Sequence, residues 1–499
     1  MSELSYLKSG TDVRGTALAK DGGAVDLTDD RVAAVAAALY RFLCRKFGRD
    51  GLTVVVGYDT RLSSPRLADV TARSLAACGA TVYDCGLSTT PSMFVAVLRY
   101  GLDASVEITA SHLPYEMNGL KFFTAEGGFA GSDIAAILDD ASANPVAAAD
   151  LPAPDVRPLD NMARYCDDLK ARIRDGCGGG EKPLAGLKIA VDAGNGCGGF
   201  YARDVLAPLG ADVSGSVFLE PDGTFPNHIP NPENKAAMDA VSAAVLRSHS
   251  DLGVIFDTDC DRAACVGADG AELNRNKLVA LAAALALRDC PGGTIVTDSV
   301  TSDGLAAFIE NTLGGVHHRF KRGYKNVIDE ARRLSDSGTR APLAIETSGH
   351  AAFAENHYLD DGAYLVTKLI VEAARLSREG KTLADSIAAL RTPAEEKELR
   401  FRISESDFRA YGDTVLAAFR ARCDADPSAT VAPVNYEGVR VNYGAGEGDG
   451  WLLLRQSLHE PLLVLNAESD VPGGVAVLLG HIRPFLEGYA SLDCSPFDA

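Results

Sequence analysis

Asp257-Thr-Asp-Cys-Asp-Arg262 stands directly behind the apolar run Leu252-Gly-Val-Ile-Phe256. Three carboxylates at alternate positions, leaving the end of a buried strand, can converge on one hard divalent cation. Oxygen-only ligation of this kind suits Mg²⁺, which keeps some water and takes a substrate phosphate as a further ligand. A calcium-sensing loop of the EF-hand type would need Gly at the sixth position and Glu at the twelfth, where this chain has Arg262 and Ala268. Two other readings stay open. One is a phosphatase of the haloacid-dehalogenase type with Asp257 as nucleophile; the other is a solvated acidic turn. Three carboxylates this close repel one another unless a cation is present, which weighs against the turn.

A phosphate ligand needs a carrier and a clamp. Ser111, in Thr109-Ala-Ser-His112, is a candidate nucleophile behind an apolar strand. Its neighbour His112 is not thereby its base, because adjacent residues of a strand point to opposite faces. Lys121, after Asn118-Gly-Leu, is either a snorkelling surface residue or a cation for a bound phosphoryl group. In Arg455-Gln-Ser457 the guanidinium would fork two donors onto a phosphate and Ser457 would add a third. Glu346 and Ser348 alternate in Glu346-Thr-Ser-Gly-His350 and could hydrogen-bond neighbouring hydroxyls of a sugar ring. Taken singly, Ser111 reads as a polar loop end and Arg455 as an exposed Arg on a turn, and the Glu346–Ser348 pair is a weak signal.

The elements that must carry these residues repeat one layout three times. An apolar strand ends in a polar turn at Val54-Val-Val-Gly-Tyr-Asp59, at Ile189-Ala-Val-Asp-Ala-Gly194 and at Thr294-Ile-Val-Thr-Asp298. A helix-like Ala/Leu stretch follows each. A later strand then delivers a polar loop, in Val106-Glu-Ile-Thr-Ala-Ser-His112, Val254-Ile-Phe-Asp-Thr-Asp259 and Leu343-Ala-Ile-Glu-Thr-Ser-Gly-His350. This alternation predicts α/β domains with mixed, mostly parallel sheets, and ligands beyond the carboxyl ends of the strands. Beyond about residue 395 the pattern changes. An alternating stretch at 431–442, short strands at Trp451-Leu-Leu-Leu-Arg455 and Leu462-Leu-Val-Leu465, and helix-like stretches at 406–422 and 472–488 predict a smaller α+β domain. Linkers are expected at 141–159 and near Arg391-Thr-Pro393, and the glycine run at 176–181 as a surface loop.

With 499 residues the chain is too long for one core. A net charge of −20 argues against nucleic-acid or anionic-membrane partners. No apolar stretch is long enough to span a bilayer, and the first residues lack signal-peptide organisation, so a cytoplasmic location is expected. The eleven cysteines show no CxxC spacing and read as reduced thiols.

Taken together and in this order, the segments resemble the α-D-phosphohexomutase family, in particular its phosphomannomutase/phosphoglucomutase members. The likeness runs through Gly10-Thr-Asp-Val-Arg-Gly15, Thr109-Ala-Ser-His-Leu-Pro114 with Asn118-Gly-Leu-Lys121, and Val191-Asp-Ala-Gly-Asn-Gly196. It continues through Phe225-Pro-Asn-His-Ile-Pro-Asn-Pro-Glu233, Asp257-Thr-Asp-Cys-Asp-Arg262, Glu346-Thr-Ser-Gly-His350 and Arg455-Gln-Ser-Leu-His-Glu-Pro461. The resemblance implies four domains around a central cleft: 1–157 with the phosphoserine loop, 158–270 with the Mg²⁺ loop, 271–392 with the sugar loop and 393–499 with the phosphate loop.

It implies reversible exchange of hexose 1-phosphate and hexose 6-phosphate, of glucose, mannose or both, through a phosphoserine and a hexose 1,6-bisphosphate. The alternatives are a phosphoglucosamine mutase and, further off, a Mg²⁺-dependent sugar-phosphate phosphatase. By resemblance Ser111 carries the phosphoryl group and joins Asp257, Asp259 and Asp261 as a Mg²⁺ ligand. Arg14, His112, Lys121 and Arg262 line the transfer site, with Lys121 and Arg14 the better candidates for proton transfer or charge compensation. His350 is a further acid/base. Glu346 and Ser348 hold sugar hydroxyls, Arg455 and Ser457 grip the phosphate not in transfer, and Lys325 lies in the segment Gly323-Tyr-Lys325 that resembles the specificity loop. The partners implied are small sugar phosphates, for a monomer or homodimer. The chain departs from the family pattern at Thr11, where Tyr is frequent, and at Leu113, where Asn is common. It departs again at Leu458 and His459 in the phosphate loop, which loses a side-chain donor at Leu458 and keeps His459 among the substrate-binding candidates.

Overall fold

Short apolar runs rich in Val and Ile, each closed by a polar turn, build the strands that deliver the loops. The computed structural model describes residues 3–20, 22–457 and 460–498. The chain divides into two compact units, residues 1–278 with 348–386 and residues 279–347 with 387–499.

In the first unit a mixed sheet runs in the order Lys8–Ser9, Asp12–Thr16, Met117–Thr124, Ala104–Ile108, Thr53–Tyr58, Thr81–Leu87, Val156–Pro158. Thr53–Tyr58 is parallel to both of its neighbours, Ala104–Ile108 and Thr81–Leu87. Ala104–Ile108 and Met117–Thr124 are antiparallel, with Glu107 opposite Lys121. Helices Asp29–Phe47, Ser64–Ala77, Thr90–Tyr100 and Gly131–Ala143 accompany this sheet. The stretch expected as a linker at 141–159 in fact contributes the edge strand Val156–Pro158. An edge position tolerates Pro158, which has no N–H to give a ladder.

A second sheet runs Glu272–Leu273, Ala263–Gly267, Leu252–Phe256, Ile189–Asp192. Leu252–Phe256 is parallel to Ile189–Asp192 and antiparallel to Ala263–Gly267. Helix Lys235–Ser248 buries Ala237, Met238, Val241 and Val245 against Ala190, Ile255, Ala264 and Val266 of this sheet. The serine loop and the acidic loop therefore share one construction. Each leaves the carboxyl end of a fully buried parallel strand and returns along an antiparallel partner. Helices Asn161–Gly176 and Gly362–Ser377 and the hairpin Ala351–Phe353/Leu359–Asp360 also belong to this unit.

In the second unit, Val316–Arg319, Thr294–Thr297 and Leu343–Ile345 are parallel. An antiparallel sheet follows in the order Glu395–Arg402, Leu462–Ser469, Gly450–Gln456, Val439–Tyr443, Ala429–Val431. The alternating stretch at 431–442 holds parts of two strands, Ala429–Val431 and Val439–Tyr443, and the segment between them turns through Gly438 at φ 60°. Helices Phe408–Ala425 and Gly474–Leu486 close this core, Val415 and Phe419 joining Phe401, Leu452, Leu465 and Leu478. Three α/β domains of mixed sheets and a β-rich C-terminal domain make up the chain. Among the described residues no helix is long and apolar enough to cross a membrane.

Candidate active site

Two loops distant in sequence meet at Ser111. Its Oγ donates to Asp257 Oδ2 at 3.1 Å, accepts from Arg262 Nη2 at 3.2 Å, and lies 3.2 Å from His112 Nδ1. Ser111 sits at φ 51°, in the left-handed region. That conformation costs a residue with a Cβ about 1 kcal/mol or more, so the surroundings must hold it. It also overturns the strand-alternation argument. Ser111 is off the strand, and His112 shares its side of the loop. Arg262 Nη2 also hydrogen-bonds His112 Nδ1. Nδ1 is therefore an acceptor, and the proton of the neutral ring lies on Nε2. The Arg262 charge, with burial and then Arg14, pushes His112 down to about 2. At neutral pH it is an uncharged ring that orients partners.

The acidic loop turns sharply through Cys260 at φ 62°. Its Oδ1 on Asp257 accepts from the Arg262 backbone N at 3.1 Å, and its Oδ2 from Arg262 Nε at 3.3 Å. Lys121 Nζ bridges the other two carboxylates, at 2.9 Å from Asp259 Oδ2 and 2.5 Å from Asp261 Oδ2. Thr90, which opens a helix capped by Thr89 and Ser92, gives its hydroxyl to Asp259 Oδ2 at 2.5 Å. A helix N-terminus favours an anion there. Burial and Asp261 oppose ionisation of Asp259, but Lys121 and Thr90 outweigh them and hold it below the usual carboxylate range. Asp257 goes the other way, raised by burial and by Asp261 and Asp259.

His350 reaches this cluster because of Gly349, at φ 98°, where a Cβ would stand 2.6 Å from the Ala263 carbonyl oxygen. His350 Nδ1 pairs with Asp360 Oδ2 at 2.6 Å and lies 3.8 Å from Asp261 Oδ1. Burial opposes its charge, yet Asp360 and Asp261 raise the imidazole to about 9. His350 is thus an imidazolium at neutral pH. Arg14 pairs with Asp12 at 2.8 Å on the strand beside Met117–Thr124.

The family models of the phosphoglucomutase/phosphomannomutase alpha/beta/alpha domains I, II and III match residues 7–145, 163–270 and 274–393. A phosphomannomutase/phosphoglucomutase of Pseudomonas putida is 30% identical over 84% of this chain and 83% of its own length. A phosphoglucosamine mutase of Chromohalobacter salexigens is 32% identical over 96% and 98%. A crystal structure of a phosphoglucomutase/phosphomannomutase family protein from Burkholderia thailandensis superposes with a TM-score of 0.80, at 27% identity and 98% coverage of both chains. The chain belongs to the phosphoglucomutase/phosphomannomutase family.

In this family member the three carboxylates suit a divalent cation. One ligand atom from each of Asp257, Asp259 and Asp261 lies within 4.8 Å of the others, and all three residues are buried. Among the described residues Asp259 Oδ1 and Asp261 Oδ1 have no hydrogen-bond partner. Buried carboxylate oxygens left bare are costly unless a cation takes them. Asp261, His350 and Asp360 form a second such group, already closed by the short His350–Asp360 bond.

The other candidates lie in the second unit, except Ser348. Glu346 Oε1 accepts from the Gly323 backbone N at 2.6 Å. Arg455 Nη1 stands 3.7 Å from Glu437 Oε1, and Glu437 also accepts from Ser299 Oγ at 2.5 Å. Ser457 Oγ accepts from the Glu460 N at 3.3 Å. Lys325 pairs along its helix with Asp329 at 2.9 Å. Leu458 and His459 lie outside the described residues. Sequence reasoning missed Thr90, Asp360, Glu437 and Arg61. It also gave no role to Asn231 and Glu233, which hold Arg262 Nη1 at 3.3 and 3.4 Å. Their only signal was membership of the matched segment 225–233.

Proposed function

We propose that this chain interconverts the 1-phosphate and the 6-phosphate of an aldohexose, glucose or mannose or both, with Ser111 as the phosphoryl carrier. The observation that carries the reading is the meeting of Ser111 Oγ with Asp257 Oδ2 and Arg262 Nη2, residues on two separate hairpins. Asp257, Asp259 and Asp261, with an oxygen on Ser111, would hold Mg²⁺. When bound, that ion would neutralise phosphoryl oxygens and lower the cost of negative charge on the serine oxygen.

The residues themselves do the positioning. Phosphorylated Ser111 gives its phosphoryl group to the free hydroxyl of the sugar phosphate. The Oγ–P bond breaks as the new O–P bond forms, leaving a hexose 1,6-bisphosphate. After that intermediate turns around, the serine hydroxyl takes the other phosphoryl group back. Arg262 donates to Oγ and stabilises charge on it as leaving group. Lys121 and Arg14 compensate charge on the equatorial oxygens. In the first transfer the proton of the accepting sugar hydroxyl ends on Ser111 Oγ. In the second the His350 imidazolium, held by Asp360, gives its proton to the sugar oxygen that loses its phosphoryl group and regains the one that the serine hydroxyl releases. Arg455 and Ser457 would grip the phosphate not in transfer, and Glu346 and Ser348 the sugar hydroxyls. Lys325 and His459 are assigned to substrate contact, and the four domain ranges given by resemblance belong to the same proposal.

A second reading, phosphoglucosamine mutase, has the Chromohalobacter salexigens likeness in its favour. One assay separates the candidates. The enzyme is incubated with glucose 1-phosphate, mannose 1-phosphate or glucosamine 1-phosphate plus a trace of the matching 1,6-bisphosphate, and products and the Ser111 peptide mass are followed. Phosphoserine at 111 and a hexose 6-phosphate product are expected, with turnover abolished in Ser111→Ala. Full activity in that variant, or phosphate released with label on Asp257, would sink the mutase reading.

A further inference from the structure

Arg61 is fully buried, and its ion pair is with the equally buried Asp59. It follows strand Thr53–Tyr58 and turns its guanidinium under the serine loop. Nε donates to Asp59 Oδ2 at 3.1 Å. Nη1 donates to the carbonyls of Pro114 at 2.7 Å and Met117 at 3.1 Å. Nη2 donates to the Leu113 carbonyl at 2.7 Å and to the carbonyl of Ser111 itself. The guanidinium has five N–H donors, and these are five acceptors. Asp59 is braced in turn by Ser64 Oγ at 2.6 Å and the Arg61 backbone N at 3.0 Å. One face of the guanidinium lies 5.2 Å from the centre of the Phe225 ring.

We propose that Arg61 is a positioning residue for phosphoryl transfer, its planar fork fixing the serine-loop backbone so that Ser111 keeps its left-handed conformation and its aim at the acidic cluster. The proposal deepens the reading of Ser111 as phosphoryl carrier and rests on it. Four carbonyls spread from Ser111 to Met117 are held by one rigid, permanently charged plane. A lysine would offer one ammonium with three donors and no plane, and could not span them. The carbonyl of Ser111 is among the four, so the peptide plane that leaves this left-handed residue is tied directly to Arg61. In-line transfer is sensitive to small displacements, and a shift of about 1 Å in a reacting group can cost about 100-fold in rate.

Arg61→Lys keeps a cation beside Asp59 and removes the fork. It is expected to lower kcat by about 100-fold while KM for the hexose phosphate stays within about threefold, because positioning rather than ground-state binding is lost. The thermal shift on adding Mg²⁺ should persist, reporting an intact carboxylate cluster. Wild-type kcat in Arg61→Lys, with only a lower unfolding temperature, would overturn the proposal. Should that variant not fold, Asp59→Asn retains the guanidinium and loosens only its brace. A fall in kcat with KM preserved supports the proposal there, and an unchanged kcat overturns it. Wild-type enzyme that never carries phosphate on Ser111 would overturn the carrier reading itself, a result distinct from either variant's kinetics.

Discussion

Glu107 is a carboxyl group with nothing to hold. It lies on the fully buried strand Ala104–Ile108, opposite Lys121, and neither of its oxygens has a hydrogen-bond partner among the described residues. Burial, then the charges of Asp59 and Asp259, raise it well above the usual glutamate range, with Lys121 opposing. A carboxyl whose folded pKa is raised binds its proton in the native state when the unfolded chain has already released it. Stability therefore falls with rising pH across the window from about 4.3, the ordinary Glu value, up to the raised value, by about 1.4 kcal/mol per pH unit. Glu107→Gln removes the titration. Denaturant melts should show the variant gaining on wild type from about pH 4.5 upward, with little difference at pH 4. A difference that does not change with pH would mean that Glu107 is ionised in the fold, with Lys121 as its counterion.

At the scale of elements, a single imidazole ties down the segment that steadies Arg262. His228 Nε2 lies 3.1 Å from both oxygens of Asp192, and Nδ1 lies 3.0 Å from the Ile229 carbonyl. Both ring nitrogens face acceptors, so both carry protons. Burial opposes that charge, but Asp192 and the carbonyl prevail and the pKa is raised. The stabilisation is then fully present below the ordinary His value of about 6.5 and lost as pH rises through the raised one. His228→Gln should cost about 1–2 kcal/mol at pH 6 and progressively less at alkaline pH, read from melts of both proteins. An equal loss at every pH would mean that His228 is neutral in the fold. The sequence made the strands and the two hairpin loops legible because their residues signal locally. Leu252–Phe256 is an unbroken apolar run, and the three alternating aspartates that follow it repel one another unless a cation is present. Thr90, Arg61 and Glu233 were not legible, because each acts on a partner far away in sequence or on a main-chain carbonyl, which leaves no pattern in residue types. The alternation rule failed at Ser111 for a related reason: a left-handed residue re-aims its neighbour, and side-chain identity alone does not announce it.

Across the whole molecule, the candidate chemistry is divided between the two units. Ser111, the three aspartates, Lys121, Arg262 and His350 belong to the first, and Arg455 and Glu346 to the second. Such a division predicts separable defects. Arg455 leaves the strand Gly450–Gln456 with a largely buried side chain, its Nε without a hydrogen-bond partner among the described residues and Nη1 3.7 Å from Glu437. Burial lowers its pKa while Glu437 raises it, and a second anion on the free edge of the fork would strengthen the charged form. A charge-assisted hydrogen bond of that kind contributes about 1.5–3 kcal/mol, or roughly 10- to 150-fold in affinity. Arg455→Ala should therefore raise KM for hexose phosphates by about that factor. The Ser111 phosphorylation level after treatment with bisphosphate at saturating concentration, and the thermal shift on adding Mg²⁺, should both match wild type, since the groups that set them lie in the other unit. If KM is unchanged, Arg455 is no phosphate ligand and Glu437 is its sole partner. If instead the Mg²⁺ shift is lost as well, Arg455→Ala disturbs the carboxylate cluster too, and the defects are not separable.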